Sequence, residues 1–224
     1  MARRPRRLFA RWYPGLAASL EERGLGEWRR RLLSGLEGRV LEVGCGNGAN
    51  FPHYPDTVGE LVAVEPEAHL RDLAREQAAA SRVAVTVLDG RAEALPLESG
   101  SFDAVVSTLV LCSVDDQDRA LAEIHRVLRP GGRLWCLEHV ASANRPIRWA
   151  EHAFDAVFWS HAFGGCHTGR DTGAAIERAG LRTDDLEARR YPDLPFPLSV
   201  SPHLIGAARK PGASGPVEDS AGNR

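Results

Sequence analysis

A doubly wound α/β fold with a mostly parallel sheet is what this sequence predicts, on three observations. Short apolar β-type runs alternate with amphipathic helical stretches along most of the chain. The run FDAVVSTLVL, 102–111, is long and mostly apolar, as a central parallel strand buried on both faces should be. Glycines on alternate positions (Gly44, Gly46, Gly48) follow the first strand directly, which puts a candidate site at the carboxyl ends of the strands.

The elements follow in order. Residues 21–36 carry Leu25, Trp28, Leu32 and Leu36 at helical spacing, which predicts an amphipathic helix. Residues 40–43 form a short buried-type strand and 61–65 a second, followed by a helix over 69–80 and a third strand over 83–88. After the fourth strand, Asp115 is placed to cap a helix with Leu121, Ile124 and Leu128 on one face. Pro130, Gly131 and Gly132 end that helix before a fifth strand, 134–140. The segment 145–166 is rich in aromatics and histidines. A helix (172–179), a strand (181–188) and a last strand near 203–208 complete the domain, and the tail from Pro211 has the small, polar composition of a disordered segment.

At 224 residues with 43% hydrophobic and 26% charged side chains, the chain reads as one globular domain of ordinary size. A net charge of −2 gives no general electrostatic reason to bind nucleic acid. Cys45, Cys112, Cys136 and Cys166 are far apart, without a C-x-x-C pair, and no secretory signal is visible. They read as reduced thiols of a cytoplasmic protein. No apolar run approaches the ~20 residues of a membrane helix. Residues 1–18 read as a lightly packed, basic N-terminal arm. Its arginines alternate with Leu8, Phe9, Trp12 and Tyr13, a chemistry suited to peripheral contact with an anionic membrane surface. The domain proper then spans 19–210, with 211–224 as the tail.

One glycine would suffice for a strand-to-helix turn; three, with Cys45 and Asn47 between them, predict a ligand resting on the main chain. Glu65, at the end of the second strand, is placed to accept a ribose diol. A dinucleotide satisfies this much. Glu42 favours another ligand, because a carboxylate beside the glycine loop opposes a pyrophosphate but suits a cationic amino-acid group.

The stretches LEVGCGNG, Glu65, RAEALPLESGSFDAVVS and RVLRPGG, in this order, resemble the class I S-adenosylmethionine-dependent methyltransferases of the type-11 group. The resemblance covers about residues 32–210. TLVLCSVDD, LEHV, GGCHTGRDT and SPHLIGAARK are most similar to the methyltransferase-like proteins that methylate small thiols, and to their bacterial relatives. It implies a Rossmann-like sheet of seven strands with an antiparallel last strand. S-adenosylmethionine is the implied cofactor, held by Glu42, Gly44, Cys45, Gly46, Gly48, Glu65, Ala92 and Glu93. Arg91 stands where relatives often have Asp, which removes an expected acidic contact to adenine.

For the substrate side, Leu109, Cys112 and Ser113 follow the fourth strand and should border the methyl acceptor. Trp159 belongs to a set of aromatics, with Trp149, Phe154, Phe158 and Phe163, able to cover an apolar acceptor. No base is assigned; His139, His161 and His167 are candidates. His161, Cys166 and His167 fit no standard zinc spacing, and no metal is expected. The resulting expectation is a methyltransferase of a small molecule, with S-methylation of a thiol first. C- or O-methylation of an apolar quinone, phenol or lipid is the alternative within enzymes. A cofactor-binding protein without catalysis is the alternative outside them.

Overall fold

A computed structural model describes residues 7–142, 165–167, 169–190 and 202–212, together with positions 144, 146, 148 and 149. His152, Trp159, His161, Phe154, Phe158, Phe163, residues 1–6 and the tail beyond 212 lie outside the described residues. Seven strands form one sheet: β1 (Gly38–Val43), β2 (Val58–Val64), β3 (Val85–Leu88), β4 (Phe102–Thr108), β5 (Leu128–His139), β6 (Arg182–Arg189) and β7 (His203–Arg209). Their spatial order is β3-β2-β1-β4-β5-β7-β6. The pairs from β3 to β5 are parallel, while β7 is antiparallel to both β5 and β6. The expected antiparallel last strand is therefore present, inserted between its neighbours. Strand order reverses between β1 and β4, which makes the gap between their carboxyl ends the switch point where ligands bind in such sheets.

Both faces of the sheet are covered, and the strand period of two decides which residues go where. Leu41 and Val43 of β1, Val105 of β4 and Leu134 of β5 enter one core. There they meet Leu121, Ile124 and Val127 of helix α4 (Gln117–Val127) and Ile176 of α5 (Thr172–Arg178). Val40, Leu61, Ala63, Ala104 and Val106 enter the other core, against Leu32 and Leu33 of α2 (Gly26–Leu33) and Ala74 of α3 (Ala68–Ala79). This is why strands 1, 2 and 4 read as largely apolar runs: their carboxyl-terminal halves are buried on both faces.

The helix expected over 21–36 is divided. Helix α1 (Arg7–Leu20) precedes it and passes through a π-helical turn, Glu21–Leu25, in which Gly24 has φ of 107°. The positive φ bends the path between α1 and α2. Helix α1 takes in residues 7–18 of the stretch read as a basic N-terminal arm. Ala10 and Ala17 are buried, because two small residues one helical face apart let the helix lie close on the domain. Asp116, not Asp115, caps α4, its carboxylate accepting from Arg119 N at 3.0 Å. Helix α4 stops at Val127, and β5 already includes Pro130, Gly131 and Gly132 across a register shift opposite Phe102 and Ala104. Lys210, the only lysine, donates to the carbonyls of His125 and Leu128, both at 2.7 Å, and satisfies acceptors left open at the end of α4. Among the described residues no helix is long and apolar enough to cross a membrane.

Candidate active site

The glycine loop leaves β1 and is tied at once to the end of β2. Gly44 N and Cys45 N both donate to the Val64 carbonyl, at 2.8 and 3.1 Å. Gly44, Gly46 and Gly48 have φ of 64°, 57° and 83°, a region that side chains with a Cβ rarely adopt. Two of them are also fixed by protein neighbours. A Cβ on Gly44 would lie 2.7 Å from both methyl groups of Val110, and one on Gly48 would lie 2.8 Å from the Phe51 ring. At Gly46 the nearest group is the ring of Tyr13, whose Cε1 would be 3.3 Å from an added Cβ. Helix α1 thus lays an aromatic side chain over the middle of the loop.

Glu65 is 6% exposed and stands just past β2. One carboxylate oxygen accepts from Gly46 N at 3.0 Å and the other from Glu67 N at 2.9 Å. Burial raises its pKa, and those two backbone bonds oppose the rise. Each oxygen keeps a further lone pair, so the group can hold the loop and still accept from a ligand.

Glu42 lies beneath the same loop at 2% exposure. Its oxygens accept from Asn50 Nδ2 and from the Tyr54 hydroxyl, both at 2.9 Å. Asn50 also donates to Thr108 Oγ1 at 3.1 Å and accepts from Arg29 Nη1 at 2.8 Å; Arg29 in turn donates to Glu21 at 2.7 Å. The network joins β1, β4 and the N-terminal helices behind the glycines. Burial pushes the Glu42 carboxyl up to about 7 against the pull of Tyr54, Asn50 and Arg29.

Of the residues expected after the third strand, Ala92 and Glu93 are both buried. Glu93 accepts from Asp115 N at 2.9 Å and from Arg91 Nη2 at 3.1 Å. Arg91 reaches Asp115 as well, at 2.9 Å, so this side-chain trio braces the β3 loop against the loop after β4.

The loop after β4 begins with Leu109 at φ of 59°, the one non-glycine positive φ among the described residues. The strain is held by what surrounds it. Leu109 N donates to the Leu137 carbonyl at 2.8 Å. The buried carboxylate of Glu138 accepts from Ser107 Oγ at 2.6 Å, Val110 N at 3.1 Å and Cys112 N at 3.3 Å. Burial raises the Glu138 pKa, and these bonds oppose it. Sequence reading singled out neither Glu138 nor Asn50 and Tyr54, and placed Tyr13 only in the arm; the signal for Glu138 was a lone acid inside the apolar run LWCLEHV.

The segment GCH near 165–167 and Arg170 then cover this loop. His167 N donates to the Cys112 carbonyl at 2.8 Å, and Arg170 Nη1 to the Leu111 carbonyl at 2.9 Å. Cys112 is buried. Its Sγ lies 3.6 Å from Cys166 Sγ and 3.5 Å from Ser113 Oγ. His139, at the end of β5, brings Nδ1 to 3.6 Å from Cys166 Sγ and tilts its ring against His203 with centroids 4.3 Å apart. His167 Nδ1 is buried without a hydrogen-bond partner among the described residues. The fold thus gathers Glu42, Gly44, Cys45, Gly46, Gly48 and Glu65 at the switch point. Leu109, Cys112, Ser113 and His139 stand at the neighbouring strand ends, with His167 on the segment bonded to Cys112.

A seven-stranded sheet of this order, with a glycine cradle after β1 and an acid after β2, defines a class I S-adenosylmethionine-dependent methyltransferase. Comparison with known proteins agrees. The methyltransferase domain of the type-11 group matches residues 41–136. Human thiol S-methyltransferase TMT1B is 37% identical over 186 residues, covering 80% of this chain and 74% of the relative. Human thiol S-methyltransferase TMT1A is 36% identical over 174 residues, covering 76% and 70%. Demethylmenaquinone methyltransferase of Renibacterium salmoninarum is 31% identical over 125 residues, covering 54% of this chain and 51% of the relative. Among solved structures, a SAM-dependent methyltransferase of Thermotoga maritima superposes with a TM-score of 0.65 at 24% identity, over 91% of this chain and 98% of that one. The chain belongs to the type-11 group of S-adenosylmethionine-dependent methyltransferases. It is a methyltransferase, and S-adenosylmethionine is its cofactor.

Proposed function

We propose that this enzyme methylates the sulfur of a small thiol. The observation that carries the reading is the relatives named thiol S-methyltransferases, 36–37% identical to the chain across three quarters or more of its length. When bound, S-adenosylmethionine supplies a methyl group on a sulfonium, and the chain's own residues position and shield it. Glu65 is assigned the ribose hydroxyls through the lone pairs that Gly46 and Glu67 leave open. The glycine loop gives the donor close approach to the backbone, with Tyr13 over Gly46. Glu42, braced by Asn50 and Tyr54, is assigned the cationic amino-acid end, where its negative charge stabilises an ammonium directly or through a water. Ala92 borders the adenine side.

Leu109 and Ser113 form the acceptor-side wall, and Glu138 holds that wall by its backbone. Alignment of acceptor and donor and exclusion of water supply much of the rate in such a displacement. A thiol with pKa near ~8.5 is already partly ionised at neutral pH and needs little base, whereas a phenol or carbon acid needs more. The cytoplasm is the assigned location, since four buried cysteines outside any disulfide, Cys45, Cys112, Cys136 and Cys166, suit a reducing compartment.

The test is turnover of methyl-labelled S-adenosylmethionine with a panel of small thiols, phenols and quinones. Label should pass to the thiols. Transfer to a phenol or quinone with none to any thiol would overturn the reading in favour of O- or C-methylation.

A further inference from the structure

We infer that Cys112, His139 and Cys166 form a metal site, for a soft divalent cation of which zinc is the first choice. The three residues come from three separate pieces of chain: the loop after β4, the end of β5 and the segment at 165–167. All three are buried, and one ligand atom from each lies within 4.8 Å of the other two.

Two edges of that triangle have the lengths a metal would impose. Zinc–sulfur bonds of ~2.3 Å and a zinc–nitrogen bond of ~2.0 Å at tetrahedral angles put two sulfurs ~3.8 Å apart and sulfur ~3.6 Å from nitrogen. Here Cys112 Sγ to Cys166 Sγ and Cys166 Sγ to His139 Nδ1 are both 3.6 Å. The backbone holds the two cysteines in register independently of their side chains, through His167 N on the Cys112 carbonyl. A disulfide requires ~2.05 Å between sulfurs, so the pair as it stands is a dithiol. Sequence reading missed the site because it looked for ligands close in sequence and weighed His161 with Cys166 and His167. The ligands brought together are instead 27 or more positions apart.

Binding displaces one proton from each thiol and uses a neutral imidazole, so M²⁺ with two thiolates is electrically neutral in a buried setting. The chemical choice follows from the donors: two thiolates and an imidazole suit zinc, whereas calcium and magnesium take oxygens. Placed there, the metal clips the loop after β4 to β5 and to the segment that covers it, which fixes the acceptor-side wall from behind.

The experiment uses the full chain, purified under a non-chelating reductant. Metal analysis should find one zinc per chain, or one should be taken up on titration. Cobalt(II) in its place should give an intense sulfur-to-cobalt charge-transfer band. The band should be lost in Cys112→Ser and Cys166→Ser, and weakened in His139→Ala. Zinc should also raise the Tm of the wild-type chain, a readout that needs no variant to fold. Wild type with no metal uptake and no band overturns the site, as does a Cys112–Cys166 disulfide forming readily in its place. Bands of equal intensity in both serine variants overturn it too. Zinc binding without thiol turnover leaves the metal site standing and refutes only the thiol reading.

Discussion

Replacing Glu42 with Gln isolates one buried ionisation and tests the whole construction behind the glycine loop. In the folded protein the carboxyl sits at about 7; its ordinary value is 4.5. The folded state therefore binds more protons than the unfolded state between those two values, and stability falls as pH rises through the window. Below 4.5 the carboxyl is protonated in both states and contributes no loss; the loss accumulates from there and is nearly complete above 7. At roughly 1.4 kcal/mol per pH unit the full effect is about 3 kcal/mol, of which about 2–3 kcal/mol develops between pH 5 and pH 8. For a chain of this size each kcal/mol is worth roughly 2–4 °C of Tm.

Glu65 and Glu138 are also raised by burial and slope the same way, so the wild-type curve alone cannot assign the effect. The measurement is thermal or urea unfolding of wild type and Glu42→Gln across pH 5–8. The variant should be flatter by about 2–3 kcal/mol and more stable than wild type at pH 8. S-adenosylmethionine should also bind wild type more tightly as pH passes 7, since a nearby ammonium favours the ionised carboxylate, and the variant should lack that trend. Parallel stability curves for the two proteins would refute the reasoning, because Glu42 would then ionise as freely in the folded state as in water.

Glu65→Ala should weaken S-adenosylmethionine binding by about 1.5–3 kcal/mol in calorimetry, by removing a charge-assisted acceptor; Gly46→Val should do worse, since valine at a φ of 57° strains the loop beside Tyr13. Tyr13→Ala should reduce cofactor affinity about tenfold, roughly 1–2 kcal/mol, while leaving the urea midpoint near wild type. Unchanged affinity would show that α1 only covers the domain. Glu138→Ala leaves the Val110 and Cys112 amides and the Ser107 hydroxyl without their acceptor, so chemical denaturation should show a loss on the order of 3 kcal/mol.

The order of elements was legible in the sequence because each fact needed is local. A strand buried on both faces is mostly apolar, and the run 102–111, which contains β4, is. A turn at positive φ favours glycine, and Gly44, Gly46 and Gly48 supply it. Glu65 stood out because a strand end places its acid at the binding edge of such a sheet. The sequence also carried enough family pattern to predict the seven strands and the methyl donor.

Only the tertiary structure decided what those residues meet. Gly44 and Gly48 are required as much by Val110 and Phe51 as by any ligand, and a packing partner 66 positions away, as Val110 is from Gly44, leaves no local trace. Glu42 is held by Asn50 and Tyr54, and Glu138 holds the loop after β4; both bonds depend on which strand ends converge. Residues 7–20 form a helix whose small buried face is worth something only against a domain that lies beneath it. Cys112, His139 and Cys166 are ordinary residues in three distant stretches of sequence. They meet because β4 and β5 are neighbours in a parallel sheet and end at the same edge, which no spacing along the chain encodes.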